Sequence, residues 1–154
     1  MQTISKAFTP VEPFSKSLSS TNNPDIAHLR SVINKMLTPK VQDIDIKGEF
    51  PEQIMHDIGA AGAFSHAVST ENGGSGKGLK YAVQSIEEVS KDCLSTGFIA
   101  WCQVACTWYL ENTSNTALHV KMLPKVARGE VLACAGFSNL LKHFADLEKI
   151  AFTA

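Results

Sequence analysis

A long uncharged run at residues 94–110 places the strongest constraint on how the chain can fold. Polar residues such as Gln103 and Thr107 interrupt the run, which is also too short to cross a bilayer comfortably. Its apolar residues occupy nearly every face of a helix, which is typical of a helix surrounded by other helices. We therefore predict a helical bundle with this segment at its centre, and we expect Trp101 and Val104 to be buried.

The spacing of apolar residues predicts four more helices around the central one. Asn23 is a candidate N-cap for the first helix, which Pro39 should close. Ser95 or Thr96 should cap the central helix. In the third helix, Val83, Ile86 and Val89 should point inward. The five predicted helices cover residues 24–38, 51–61, 79–91, 95–112 and 115–128.

The two ends of the chain differ from this helical part. Residues 1–22 are rich in Ser, Thr and Pro, which predicts a poorly ordered lead-in before a helical domain at 23–130. Residues 131–137 have the composition of a strand, but a lone strand cannot satisfy its own backbone groups. We therefore interpret 131–154 as the truncated start of a β-domain. The predicted fold class is mostly α, a helical bundle ending in the start of a β-domain.

Composition narrows the possible functions. The chain has 154 residues, of which 44% are apolar, and a net charge of −1, so it suits one globular domain with no electrostatic case for nucleic acid or an anionic membrane. The N-terminus lacks the pattern of a secretory signal, which favours the cytoplasm. The cysteines lack the spacing of a disulfide framework, so we expect reduced, buried thiols. They are Cys93, Cys102, Cys106 and Cys134.

A glycine-rich stretch at 73–78 invites a phosphate-loop interpretation but fails its pattern. The P-loop requires Gly where Glu71 stands and Ser or Thr where Gly78 stands. Glycines also supply the positive φ angles of ordinary turns. We therefore predict a surface loop over residues 65–78 that binds no nucleotide.

Other candidate sites have simpler interpretations. Cys102 and Cys106 lie four residues apart on one helix face, where two thiols can bind a metal, but core packing is favoured. Glu87 and Glu88 fit a solvated face or a partner for a nearby base better than an acid–base pair. Ser95 with His119 is a conceivable triad, although Ser95 is better used as a cap. No catalytic or metal-binding residue is assigned.

Four segments, in this order and at workable spacing, carry a resemblance to a known family. Residues 54–62 (IMHDIGAAG) resemble an "L…ELGxxG" helix, and residues 68–76 (VSTENGGSG) resemble "vPEEyGGsG". Residues 86–90 (IEEVS) resemble "lEElar", and residues 123–130 (LPKVARGE) resemble "YLPK(L/V)xxGE". Together they resemble the N-terminal helical domain of the acyl-CoA dehydrogenase family, with the likeness covering about residues 24–145.

The resemblance implies an FAD-dependent oxidoreductase that acts on the CH–CH group of an acyl thioester and works as a homo-oligomer when full-length. In the family, a glutamate base removes the α-proton while the β-hydride passes to flavin N5. The resemblance puts this base in a C-terminal domain that the chain lacks. By this interpretation the chain is a fragment, inactive alone, that binds FAD weakly or not at all.

One stretch that lies along the flavin in the family falls within this chain. The family has "TEP" followed by Gly-Ser-Asp after the first strand, whereas this chain has Ser138, Asn139 and Leu140. The resemblance implies that the Ser138 hydroxyl and the backbones of Ala135 and Phe137 contact the cofactor. Two alternatives stay open: a flavin-dependent monooxygenase of the same fold, and a non-catalytic helical interaction module.

Overall fold

The computed structural model describes residues 24–151 and is mostly helical, as predicted. The predicted lead-in at 1–22 and the Asn23 cap lie outside the described residues. A π-helical turn (Ile33–Leu37) and two 3₁₀ turns (Thr38–Lys40 and Thr70–Asn72) supplement the α-helices. The α-helices are α1 (Pro24–Val32), α2 (Val41–Lys47), α3 (Glu52–Ala60), α4 (Leu79–Asp92), α5 (Leu94–Glu111), α6 (Thr116–Ala127) and α7 (Phe137–Phe144).

The first helical path continues past Pro39, so the prediction that this proline ends the helix is wrong. Pro39 lies in the first turn of the 3₁₀ segment, where a missing N–H costs no hydrogen bond. The chain winds on through the π and 3₁₀ turns into α2. It stops at Gly48, whose φ of 68° suits a glycine.

One core joins α1, α3, α4 and α5, with Phe64 as its largest fully buried side chain. Arg30 fastens α1 to α4 through Glu88, at 2.6 Å, and through Asp92. Burial opposes ionisation of Glu88, but hydrogen bonds from Lys91 and Arg30 hold its pKa below the usual value. The prediction that one glutamate of the 87–88 pair serves a nearby base is therefore confirmed.

The inward face of α4 differs from the predicted one. Ala82, Ser85 and Val89 are buried, whereas Val83 is 50% exposed, so the inward placement of Val83 is wrong. A small residue of α4, Ser90, faces α5, and the two helices approach closely there. A Cβ added at Gly97 of α5 would lie 2.0 Å from the Ser90 hydroxyl oxygen.

The central helix α5 buries a small and polar face rather than its aromatic residues. Val104 is buried, as predicted, but Trp101 is 44% exposed, so its predicted burial is wrong. The neighbouring helices pack against Gly97, Ala100 and Gln103, and the large rings lie on the other side. Within the described part of the chain, no helix is long and apolar enough to cross a membrane.

The start of α5 is capped by a residue that the sequence did not suggest. The Cys93 sulfur accepts a hydrogen bond from the Thr96 backbone N–H at 3.4 Å and another from the Thr96 hydroxyl at 3.2 Å. Ser95 donates instead to Asp45, at 3.1 Å. Neither Ser95 nor Thr96 is therefore the N-cap.

The strand predicted at 131–137 is not formed. Residues 131–136 have no regular secondary structure, and α7 begins at Phe137. Within residues 24–151 there is no second strand to supply hydrogen-bond partners, whereas a helix satisfies most of its backbone groups internally. The prediction failed because a strand depends on a neighbour.

Candidate functional site

The C-terminal end of α6 is fixed against α3 by backbone contact. A Cβ added at Gly59 would lie 2.6 Å from the Gly129 Cα, and Gly129 itself has a φ of 70°. The Gly129 carbonyl oxygen can only accept, so His56 donates to it from Nδ1, at 2.5 Å. The chain therefore leaves α6 from a defined point.

Gln103 holds the residues that follow. Its side chain is 1% exposed, and Nε2 donates to the carbonyl oxygens of Val126 and Val131, both at 2.9 Å. Oε1 accepts from the Ala133 N–H at 2.7 Å. One buried amide thus uses both donor hydrogens and its acceptor to tie the end of α6 and the next residues to α5.

The connecting segment, residues 130–136, leads from this attachment to the predicted cofactor-binding residues. Ala135 is half-buried within the segment, and Phe137 and Ser138 form the first turn of α7. Ser138 is exposed. The structure brings the three residues close together along the chain but puts Ser138 on a helix rather than after a strand.

Hydrogen bonds from one of its side chains hold helix α7 to the residues that follow it. Asn139 Nδ2 donates to the Lys149 carbonyl oxygen at 3.1 Å, and Asn139 Oδ1 accepts from the Ala151 N–H at 2.9 Å. Leu141 is 65% exposed and Phe144 is 75% exposed. Asn139, where the family has a glutamate, therefore closes a local turn.

The segment at 65–78 is a loop, as predicted, apart from the 3₁₀ turn at Thr70–Asn72. Its glycine N–H groups are already paired with loop carbonyls: Gly74 donates to Ser69 at 2.9 Å, and Gly76 donates to Val68 at 2.8 Å. Cradling a phosphate requires backbone N–H groups that are free to donate outward. The absence of nucleotide binding stays a prediction, and these pairings favour it.

His66 is the buried polar residue of this loop. It is 4% exposed, and its Nδ1 lies 2.9 Å from the Ser75 hydroxyl oxygen. Burial lowers the pKa of His66, because a charged imidazole is poorly solvated there. At neutral pH His66 is therefore a neutral hydrogen-bonding partner that shapes the loop.

The other candidates do not assemble into a catalytic site. Ser95 donates to Asp45, whereas the Nε2 of His119 lies 3.8 Å from Glu111, so the structure does not join Ser95 and His119 in a triad. Among the described residues, no group of three or more His, Cys, Asp or Glu side chains is arranged to hold a metal ion.

Gln103 is the residue of this region whose role the sequence did not reveal. In the sequence it is one of the polar interruptions in a long apolar run. A buried glutamine requires partners for its amide, so its position in that run was the available signal. The sequence could not identify those partners, because they lie 23 to 30 residues away.

A comparison with protein families adds independent evidence. The family model described as acyl-CoA dehydrogenase, N-terminal domain, matches residues 26–130, more than half of the chain. The matched region runs from α1 to the first residue of the connecting segment. The chain therefore belongs to the acyl-CoA dehydrogenase family.

Proposed function

We propose that this chain is the N-terminal part of an FAD-dependent oxidoreductase of the acyl-CoA dehydrogenase type, acting on the CH–CH group of an acyl thioester. The family match over residues 26–130 is the observation that carries the reaction class. The proposal divides the chain into a helical domain at 23–130 and the start of a further domain at 131–154. Acyl thioester binding, homo-oligomerisation and a cytoplasmic location in the full-length enzyme belong to the same proposal.

The residues proposed to contact FAD are Ala135, Phe137 and Ser138. Gly136 is the N-cap of α7 and has no side chain to pair with the first N–H groups of that helix. These N–H groups and the exposed Ser138 hydroxyl are donors, and the edge of a flavin ring presents carbonyl and nitrogen acceptors. The donor set therefore fits a flavin edge.

The chain's own contribution is to bind and position rather than to transfer a proton. FAD, when bound, supplies the hydride acceptor of the reaction. Gln103 holds the start of the connecting segment, and Ala135, Phe137 and Ser138 offer donors to the ring. No residue of the chain is proposed as the catalytic base.

We expect the isolated chain to bind FAD weakly or not at all and to be inactive. A neutral hydrogen bond contributes about 0.5–1.5 kcal/mol. Micromolar affinity requires roughly 8 kcal/mol. The few donors near Ser138 fall short of that total.

The test is to titrate FAD into the purified chain while following the visible spectrum, and to measure acyl-CoA-dependent dye reduction. We expect no stoichiometric complex and no turnover. A yellow complex that oxidises acyl-CoA would contradict the proposal, because a base would then lie within these residues. Reading the gene in frame beyond the Ala154 codon tests independently for a catalytic domain.

One alternative is a flavin-dependent monooxygenase of the same fold, which the helical N-terminal domain does not distinguish from a dehydrogenase. The exposed rings of Phe98 and Trp101 on α5 favour a non-catalytic interaction module. In a version extended by any downstream coding sequence, NAD(P)H- or reduced-flavin-dependent oxygen uptake would indicate the monooxygenase.

A further inference from the structure

Three of the four cysteines lie around the attachment point at Gln103. Cys102 and Cys106 are half-buried and four residues apart, so they share one face of α5. Cys134 is exposed in the connecting segment. It directly follows Ala133, whose N–H is bound to the Gln103 side chain of the same helix at 2.7 Å.

Cys134 also acts electrostatically on both thiols of α5. Burial is the larger cause that raises the pKa of Cys102 and of Cys106, and the charge of Cys134 raises both further. Such a coupling weakens steeply with distance and with screening by water. It therefore agrees with the attachment in placing Cys134 beside this face of α5.

Cys93 provides a contrast within the same chain. It is 2% exposed, and its sulfur is engaged as the cap of α5. Cys134 is exposed and lies outside regular secondary structure, so no helix hydrogen bonds oppose the small shift that disulfide geometry can require. A dissolved oxidant therefore reaches Cys134 first.

We propose that Cys134 is a thiol-modification site that reacts with a low-molecular-weight disulfide such as oxidised glutathione, and that a thiol of α5, Cys102 or Cys106, resolves the adduct into an internal disulfide. Transient disulfides of this kind in reducing compartments are typically redox-sensing or catalytic.

The chemistry consists of two thiol–disulfide exchanges. The Cys134 thiolate attacks one glutathione sulfur, which forms a mixed disulfide and releases the first glutathione thiolate. The α5 thiolate then attacks the Cys134 sulfur and releases the second. Two protein thiols lose two protons and two electrons, and the glutathione disulfide is reduced to two thiols.

The internal disulfide covalently joins the connecting segment to α5. It adds a covalent bond to the hydrogen bonds of Gln103 and restricts the segment that leads into Ala135. A consequence for flavin contact rests on the proposed function, but formation of the disulfide does not. Failure to bind FAD and failure to form the disulfide are therefore separate results.

The test is to incubate the native chain with oxidised glutathione and to analyse it by intact mass, free-thiol titration and peptide mapping without reduction. We expect loss of two of the four thiols, loss of two hydrogens in mass, and a peptide that links Cys134 to Cys102 or Cys106. A wild-type chain that stops at a stable glutathione adduct on Cys134 would overturn the proposal. A link that involves Cys93, or one that joins two chains, would also overturn it.

Matched variants identify the roles of the individual thiols. Cys134→Ser should abolish the internal disulfide, whereas Cys93→Ser should form it like the wild type. The double variant Cys102→Ser/Cys106→Ser should accumulate the glutathione adduct at Cys134, and the two single variants show which thiol resolves it. In concentrated urea the preference of Cys134 for Cys102 or Cys106 should disappear, and Cys93 should also form disulfides. An unchanged preference in urea would show that the fold does not select the pair.

Discussion

The helical body, residues 24–129, and the C-terminal region, residues 130–151, are held in different ways. In the body, side chains of helices distant in sequence interlock around Phe64, and Arg30 joins α1 to α4. In the C-terminal region, α7 is fastened through Asn139 to residues just beyond it, and Phe144 stays 75% exposed. A helix of only eight residues is marginal without tertiary packing. The difference between the two regions shows that a segment such as α7 can be helical without being packed into the core that the other helices share.

The sharpest test of this difference compares two Phe→Ala substitutions. Phe64 is fully buried, so Phe64→Ala should lower the free energy of unfolding by about 3–5 kcal/mol. Phe144→Ala, on the exposed α7, should change it by less than about 0.5 kcal/mol. Urea denaturation followed by circular dichroism measures both values. Equal losses would mean that α7 is packed into the same cooperative unit.

Replacing glycines by alanine tests the backbone contact between α3 and the end of α6 within the helical body. Gly59→Ala puts a Cβ 2.6 Å from the Gly129 Cα, and the backbone cannot rotate away as a side chain can. We expect a loss of about 2–3 kcal/mol in the free energy of unfolding. Gly48→Ala is the control, because nothing lies within 4 Å of its added Cβ and only the φ of 68° opposes it. Gly48→Ala should lower the free energy of unfolding by about 1–2 kcal/mol, as measured by thermal or urea melts. A Gly59 variant as stable as the Gly48 variant would refute the close contact.

The sequence predicted the existence of helices better than the faces that they bury. The bounds of α4 followed from the apolar period after Gly78, and the structure agrees to within a residue. The exposure of Val83 and Trp101 did not follow, because α4 and α5 approach closely through small residues, Ser90 and Gly97. Hydrophobicity alone does not reveal how closely two helices will approach.

Long-range pairing explains the remaining differences between sequence and structure. The predicted strand at 131–137 needed a neighbouring strand, and the partners of Gln103 are backbone groups on another helix and on the connecting segment. The positions of Ala135 and Ser138 came from family resemblance, because their own residue types are not informative. Local patterns therefore specify local structure, whereas the candidate site depends on distant contacts.

Gln103 joins the two compared regions, so its loss should affect both. Gln103→Leu removes the partners of the Val131 carbonyl and the Ala133 N–H while it preserves much of the side-chain volume. We expect about 1–3 kcal/mol of destabilisation. Hydrogen exchange at Ala133 should accelerate more than exchange within α4. Equal acceleration at both places would mean that Gln103 supports the fold as a whole and does not specifically hold the connecting segment.

The smallest expected effect is a pH dependence that belongs to the body alone. Burial lowers the pKa of His66, so the folded chain binds this proton less tightly than the unfolded chain does. Above the unfolded pKa of about 6.5 both states are neutral, and the full stability is present. As the pH falls through that value, the unfolded chain takes up the proton first and stability declines. The decline from this group ends once the pH drops below the folded pKa.

Urea melts between about pH 7.5 and 5 measure how steeply the free energy of unfolding changes with pH. The pKa values of Glu88 and Asp92 are lowered, so these two groups contribute at more acidic pH. His66→Gln keeps a hydrogen-bonding group beside Ser75 but does not titrate, so it should flatten the slope. A variant with the wild-type slope would assign the pH dependence to another group.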